Sequence, residues 1–178
     1  MQLSTPIQMS LSTVTSRLPD LNYDNISLLA IPIAWIASIA APRMYGRYLY
    51  YRAKHQDMDL IQPRLWAKSI ADDKGLSPKT KGQIMRCEAA MNNGHENIGM
   101  FAAAVVAGNA AGLDQRLLNT LSLGYVLSRV AFNIVYVWQD INNIKTLRPV
   151  VFFAGVAMYM TLFVKAGSEF QRAAALKR

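Results

Sequence analysis

Four apolar blocks, at about residues 26–42, 84–111, 117–139 and 147–166, constrain this chain more than any other feature. Each approaches the ~20 residues that a helix needs to cross a bilayer. None is an uninterrupted run of eighteen, so a soluble all-helical domain stands as the competing reading. Of 178 residues, 52% are hydrophobic and only 17% charged, which suits either one globular domain or a small set of membrane helices. Clustering of the apolar residues favours the second. The expected fold is all-α, an integral membrane four-helix bundle.

Charge sets the orientation. The net charge is +8, but the basic residues crowd into one connector instead of forming a groove-reading motif, which argues against nucleic acid as a partner. Arg43, Arg47, Arg52, Lys54, Arg64, Lys68, Lys74, Lys79 and Lys81 lie between the first two blocks, against Asp57, Asp59, Asp72 and Asp73. The positive-inside rule makes this loop cytosolic. Alternation then places the amino terminus and the 112–116 connector in the lumen, and the 140–146 connector in the cytosol. Arg172, Lys177 and Arg178 fall on the lumenal side, against the rule; the larger first loop governs.

The expected organisation is a flexible segment 1–25, a four-helix domain 26–168 with cytosolic loop 43–82, and a tail 169–178. The first segment, rich in Ser and Thr, lacks the basic start and immediate apolar run of a cleaved signal. Asn25-Ile26-Ser27 matches a glycosylation acceptor but abuts the membrane, and is expected to stay unmodified. Pro32 falls inside the first block, whose cytosolic end carries a belt of Tyr and Arg. Within the loop, Leu65 to Ile70 reads equally as a short amphipathic turn on the headgroups or as solvated chain.

The second block opens with RCEAAMNNGHENIGMF, residues 86–101. At about 100° per residue, Arg86, Ala89, Asn93, Glu96, Asn97 and Met100 fall in one sector, while Glu88, Asn92 and His95 point elsewhere. A central Arg or Asp costs about 2.5 to 3.5 kcal/mol on an insertion scale, and each large apolar residue returns only about 0.3 to 0.6, so this stripe cannot face lipid. It lines a pocket open to the cytosol. In the third block Ser122, Tyr125, Arg129, Asn133 and Tyr136 share a face; in the fourth, Arg148, Phe152, Gly155 and Tyr159 do. Three helices thus each offer one Arg, and the cations exceed the carboxylates near them, which points to an anionic ligand. The structural alternative pairs Arg86 or Arg129 with Glu88 or Glu96 simply to fix helix packing. One Cys, two His and no acidic cluster argue against a metal site. No phosphate loop, nucleophile elbow or Ser/His/Asp constellation is present.

RCEAAMNNGHENIGMF resembles the second-helix signature of the MAPEG superfamily, the membrane-associated proteins of eicosanoid and glutathione metabolism. Its Arg, Asn and Glu are here Arg86, Asn93 and Glu96. SRVAFNIVY is similar to the third-helix pattern of Arg followed seven residues later by Tyr, here Arg129 and Tyr136, and TLRPVVFF to the start of the fourth helix. The resemblance implies a homotrimer with glutathione bound between subunits near the cytosolic face. It also implies a lipophilic substrate that partitions in from the lipid bilayer, and the endoplasmic reticulum or the mitochondrial outer membrane as location. Asn93 and Glu96 would hold the γ-glutamyl end, Arg129 and Tyr136 the peptide, and Arg148 the sulfur as catalytic residue. Arg86 belongs to the same binding set, and Arg52 would meet a ligand carboxylate.

Departures from the pattern bear on the chemistry. Ala89 and Asn92 stand where several catalytic members have basic residues, Phe132 replaces a polar one, and Pro149 and Phe152 follow Arg148 where a hydroxyl and a Tyr often help. Two classes of function therefore remain open: a glutathione-dependent membrane enzyme, and a non-catalytic relative that kept the fold as a scaffold or ligand-binding module.

Overall fold

The computed structural model describes residues 20–21, 23–58, 62, 65–142 and 146–177. Residues 1–19 and 22 of the flexible segment expected over 1–25, Arg64 and Asp59 of the basic connector, 143–145 of the second cytosolic connector and Arg178 of the tail lie outside the described residues. Among the described residues all regular elements are helical: α1 (Ala30–Trp35), a π-helical stretch (Ile36–Ala40), α2 (Ala41–Lys54), α3 (Trp66–Asp72), α4 (Pro78–Ala110), α5 (Gln115–Asn142) and α6 (Leu147–Ala175). Two of them, α5 over Gln115–Gln139 and α6, are long and apolar enough to cross a membrane.

The first apolar block and the Tyr/Arg belt form one continuous helical rod, α1 through α2. Pro32 causes no break because it sits in the first turn, where N–H groups have no helical partner in any case. Pro42 has a larger effect. It lacks the N–H that would close on the carbonyl of Ser38, and the π stretch Ile36–Ala40 lies immediately before it. The displaced backbone finds other neighbours. Asn133 of α5 donates from Nδ2 to the carbonyl of Ala37 at 2.7 Å. The Ser38 carbonyl packs on Gly94 of α4, where a Cβ would stand only 2.5 Å from its oxygen. The Ala41 N–H reaches back to the carbonyl of Ile36, and Pro42 has no N–H to offer the carbonyl of Ala37, so that acceptor must be satisfied from elsewhere in the protein and Asn133 does it.

The expected loop 43–82 is therefore shorter than its charge pattern suggested, because α2 runs to Lys54 and α4 begins at Pro78. His55 ends α2 in a left-handed conformation, φ 53°, its N–H donating to the carbonyl of Tyr51. Ser77 caps α4 by accepting from the N–H of Thr80. The residues around Leu65 to Ile70 form α3. Its apolar face packs inward, burying Trp66 and Ile70 with Met58, Leu76 and Ile84. Arg47–Asp57 and Lys54–Asp73 ion pairs brace the connector.

At 33 residues, α4 is about 50 Å long and forms the spine, contacting α2, α3, α5 and α6. Gly112 follows in the left-handed region, φ +69°, and the N–H of Leu113 bonds to the carbonyl of Gly108 at 3.0 Å, closing the turn into α5. Phe101 stacks on Tyr125 at 3.9 Å between centroids and Tyr159 meets Tyr125 edge-on, so aromatic rings fill the centre. At the α4–α5 turn, Asn119 accepts from the N–H of Ile26 and donates to the carbonyls of Leu21 and Asp24. Asn109 bonds to Asn25 and Ser27 there. Both polar groups of the Asn25–Ser27 acceptor are thus engaged within the fold. Finally, the expected tail begins inside α6, which continues to Ala175 with an Arg172–Glu169 pair on its surface.

Candidate functional site

A cavity of about 470 Å³ opens between α4, α5 and α6. Asn92, Asn93 and Glu96 enter it from α4, Phe132 and Tyr136 from α5, and Arg148, Phe152 and Phe153 from α6; Ala89 and Pro149 complete the lining. Positions 89, 92, 93 and 96 are neighbours one turn apart, so a single edge of α4 supplies all four. Asn92 stands only about 40° from Glu96 on a helical wheel, which is why it lines the cavity although the stripe itself excludes it.

Arg148 lies over the ring of Tyr136, its guanidinium carbon 4.9 Å from the centroid. Such stacking fixes a cation at a wall without consuming its donors. Phe132 packs on Tyr136 and Phe152, and Phe152 edge-on to Phe153, making a continuous aromatic side. The polar lining comprises one cation, one carboxylate, two amides and a phenol.

Of the residues expected at the site, Asn93, Glu96, Tyr136 and Arg148 meet in this cavity. Arg129 does not line it. Only 1% exposed, it lies behind Asn93, donating from Nη1 to Asn93 Oδ1 and from Nη2 to the carbonyl of Phe152, each at 3.3 Å. Tyr125, Phe132 and Phe152 surround its guanidinium at 5.1, 5.2 and 5.5 Å. Arg129 therefore meets the cavity lining through Asn93, because aromatic rings fill the interhelical space between the cation and the opening. Arg86 bonds from Nε to the carbonyl of Val137 at 3.1 Å, bracing α4 on α5. Arg52 also stands apart, near the end of α2 with its guanidinium 5.8 Å from the Tyr48 ring.

Glu88, 6% exposed, forms an ion pair with Arg43 of α2. The expected packing alternative is thus half right: a carboxylate of α4 does neutralise an arginine, but the arginine comes from the first helical rod. No local pattern cues this pairing, since 45 residues separate the partners. Gly155 is legible in the sequence only as a member of the α6 face; its role is steric, as a Cβ there would stand 2.5 Å from Arg129 Nη2. Phe153 lies off that face, and periodicity does not reveal it. A second groove, between α2 and α5, is nearly all apolar and presents only Asn133, Tyr45 and Trp138 as polar-tipped groups. No cluster of three or more His, Cys, Asp or Glu that could hold a metal occurs among the described residues.

Neither a curated protein nor a solved structure matches the chain. A family model does: the MAPEG family model covers residues 26–168, from the polar clamp before α1 to the last third of α6. With the matched region embracing the spine helix, the cavity and every residue that lines it, this chain belongs to the MAPEG family.

Proposed function

We propose that the protein is a glutathione-dependent integral membrane enzyme acting on lipophilic substrates. The observation that carries this reading is the meeting of Asn93, Glu96, Tyr136 and Arg148, from three helices, in one cavity walled by Phe132, Phe152 and Phe153. Glu96 offers an acceptor for an ammonium and Asn93 a hydrogen-bonding amide one turn away, while Arg148 offers a cation to a sulfur. A free thiol has a pKa of about 8.5, and a neighbouring guanidinium favours its thiolate, the nucleophile. In conjugation the thiolate forms a C–S bond to the electrophile, whose leaving group departs with the electron pair. The aromatic side gives an apolar substrate from the bilayer a surface to pack on.

Assembly as a homotrimer in the endoplasmic reticulum membrane belongs to the same reading. Asn92, Glu96, Gly99, Ala103, Val106 and Ala110 follow one another at spacings of four and three residues and trace one seam along α4, all six exposed in the single chain. A stripe mixing a carboxylate, an amide and small side chains is a poor lipid face and a good helix contact. A neighbouring copy on that seam would close the open side of the cavity beside Glu96.

A second reading, a non-catalytic ligand-binding relative, is favoured by one observation: Ala89, Pro149 and Phe152 in the lining supply no side-chain hydrogen-bond donor. Two measurements separate the readings. Millimolar glutathione should raise the melting temperature of the detergent-solubilised protein, because a ligand bound to the native state alone stabilises it; no shift removes the glutathione reading. With binding established, Arg148→Ala should abolish conjugation of a model aryl halide while oligomeric size is unchanged. Unaltered turnover would take Arg148 out of its proposed role.

A further inference from the structure

We propose that Arg129 is a positioning residue that sets the polarity of Asn93, holding its amide oxygen inward so that the side chain offers N–H groups, not an acceptor, to the cavity. The assignment follows from donor chemistry. A guanidinium has five N–H donors and no acceptor, so the Asn93 atom it meets at 3.3 Å must be oxygen; a flipped amide would set donors against donors. No acceptor for Asn93 Nδ2 occurs among the described residues, and the side chain lines the cavity.

Arg129 is itself held in place on all sides. Three aromatic rings surround it, the Phe152 carbonyl accepts from Nη2, and only a glycine at 155 leaves room for the guanidinium. Asn97, one turn below, locks the same backbone by donating to the Asn93 carbonyl at 2.9 Å and accepting from the Tyr159 hydroxyl at 3.3 Å. No carboxylate lies within ion-pair distance of Arg129 among the described residues, and its Nε has no partner. Its strongest single contact with a neighbouring side chain is therefore the Asn93 oxygen. With that oxygen occupied, α4 presents a donor at position 93 and a carboxylate acceptor at 96. The pair is spaced to read an α-amino-acid end, carboxylate on Asn93 and ammonium on Glu96. This deepens the glutathione reading and rests on it only for the identity of the ligand.

Asn93→Asp tests the inference. The change is nearly isosteric, replaces the outward N–H₂ with an acceptor and gives the buried cation the carboxylate it lacks. In ligand-free detergent-solubilised protein the melting temperature should rise by about 3 °C or more, and the rise should vanish in an Arg129→Gln background. Glutathione affinity should fall at least about tenfold, since a hydrogen bond to a charged group is lost and two carboxylates oppose each other. No rise in melting temperature, or an equal rise without Arg129, overturns the assignment, as does glutathione bound as tightly by the variant as by the wild type. If Arg129→Gln does not fold, the two readings on Asn93→Asp alone decide. Should wild-type protein show no response to glutathione, that failure belongs to the ligand's identity, and the melting temperature of Asn93→Asp still judges the role of Arg129.

Discussion

Gly94 offers the most direct test of how the site is held, because it is where α4 touches the π-helical stretch. A Cβ at this position would stand 2.5 Å from the Ser38 carbonyl oxygen and 2.9 Å from its carbon and from the Ser38 Cβ. Ordinary contact begins near 3.4 Å, so Gly94→Ala forces two backbones apart by several tenths of an ångström. Overpacking of this kind costs about 1 to 3 kcal/mol. Against it stands the gain in helix propensity, about 0.8 to 1.0 kcal/mol for Gly to Ala in a helix interior. Gly167 supplies the control, since it lies inside α6 with nothing within 4 Å of where an alanine methyl would stand. Gly167→Ala should show the propensity gain alone. For a chain of this size 1 kcal/mol is about 2 to 4 °C of melting temperature. Scanning fluorimetry in one detergent should therefore place Gly94→Ala below Gly167→Ala by about 2 to 12 °C. Equal melting temperatures would refute the close approach, and with it the account of the π stretch as a feature held by α4. Asn93 and Glu96 flank Gly94, so under the proposed function the same variant should also weaken glutathione binding, read as a smaller thermal shift with glutathione.

Two further outcomes follow from particular contacts. Asn133→Ala removes the donor at 2.7 Å from the Ala37 carbonyl, and leaving that acceptor unsatisfied should cost about 1 to 3 kcal/mol, read as a lower melting temperature; no change would mean that another group already serves the carbonyl. Asp73 titrates below its ordinary value of 3.8, chiefly through its hydrogen bond from Lys54 and next through the Gly75 N–H. A depressed carboxylate stabilises the fold above its unfolded pKa and loses that contribution as pH falls through the lower folded value. Iodide quenching of Trp66 in a Trp35→Phe, Trp138→Phe background should therefore stay constant from neutral pH down to the carboxylate range and rise below it. Asp73→Asn should show the raised quenching at every pH, and quenching in that variant equal to the unsubstituted background at neutral pH would sink the link.

Much of the fold is legible in the sequence because the apolar blocks and the punctuation between them are local features. Gly112 ends α4, Asp114 accepts from the N–H of Leu117 at the start of α5, and both lie where the pattern breaks. The basic connector is legible in part. Tyr45, Tyr48, Tyr50, Tyr51, Arg43, Arg47 and Arg52 read as an interface belt at the cytosolic end of the first helix and do continue it, since nothing after Pro42 breaks a helix before Lys54 and the αL position waits until His55. The π stretch cannot be foreseen from Pro42 alone. It depends on Asn133 and Gly94 arriving from other helices to accommodate the displaced carbonyls.

The site divides along the same line. Periodicity places Arg148, Phe152, Gly155 and Tyr159 on one face, and all four turn toward the protein: two line the cavity, one makes room for Arg129 and one bonds to Asn97. What periodicity cannot supply is depth along a face. Arg129 and Tyr136 are two turns apart on α5, yet the first is sealed behind the rings of Tyr125, Phe132 and Phe152 while the second lines the opening with Arg148 stacked on it. Charge counting fails for a related reason. It weighs three arginines against two carboxylates of α4, but Glu88 is committed to Arg43 from the first rod, which leaves Glu96 as the carboxylate of the cavity lining. Among the described residues Arg129 then remains buried without an acid, and a cation so placed in a membrane-type core is tolerated only if it is surrounded by acceptors and aromatic faces. Asn93, the Phe152 carbonyl and three rings provide those. The arrangement carries its own constraint: any residue at 93 that offers no oxygen would leave the Phe152 carbonyl as the guanidinium's remaining acceptor among the described residues, so the same contact that orients the cavity's donor also ties α4 to α5 and α6.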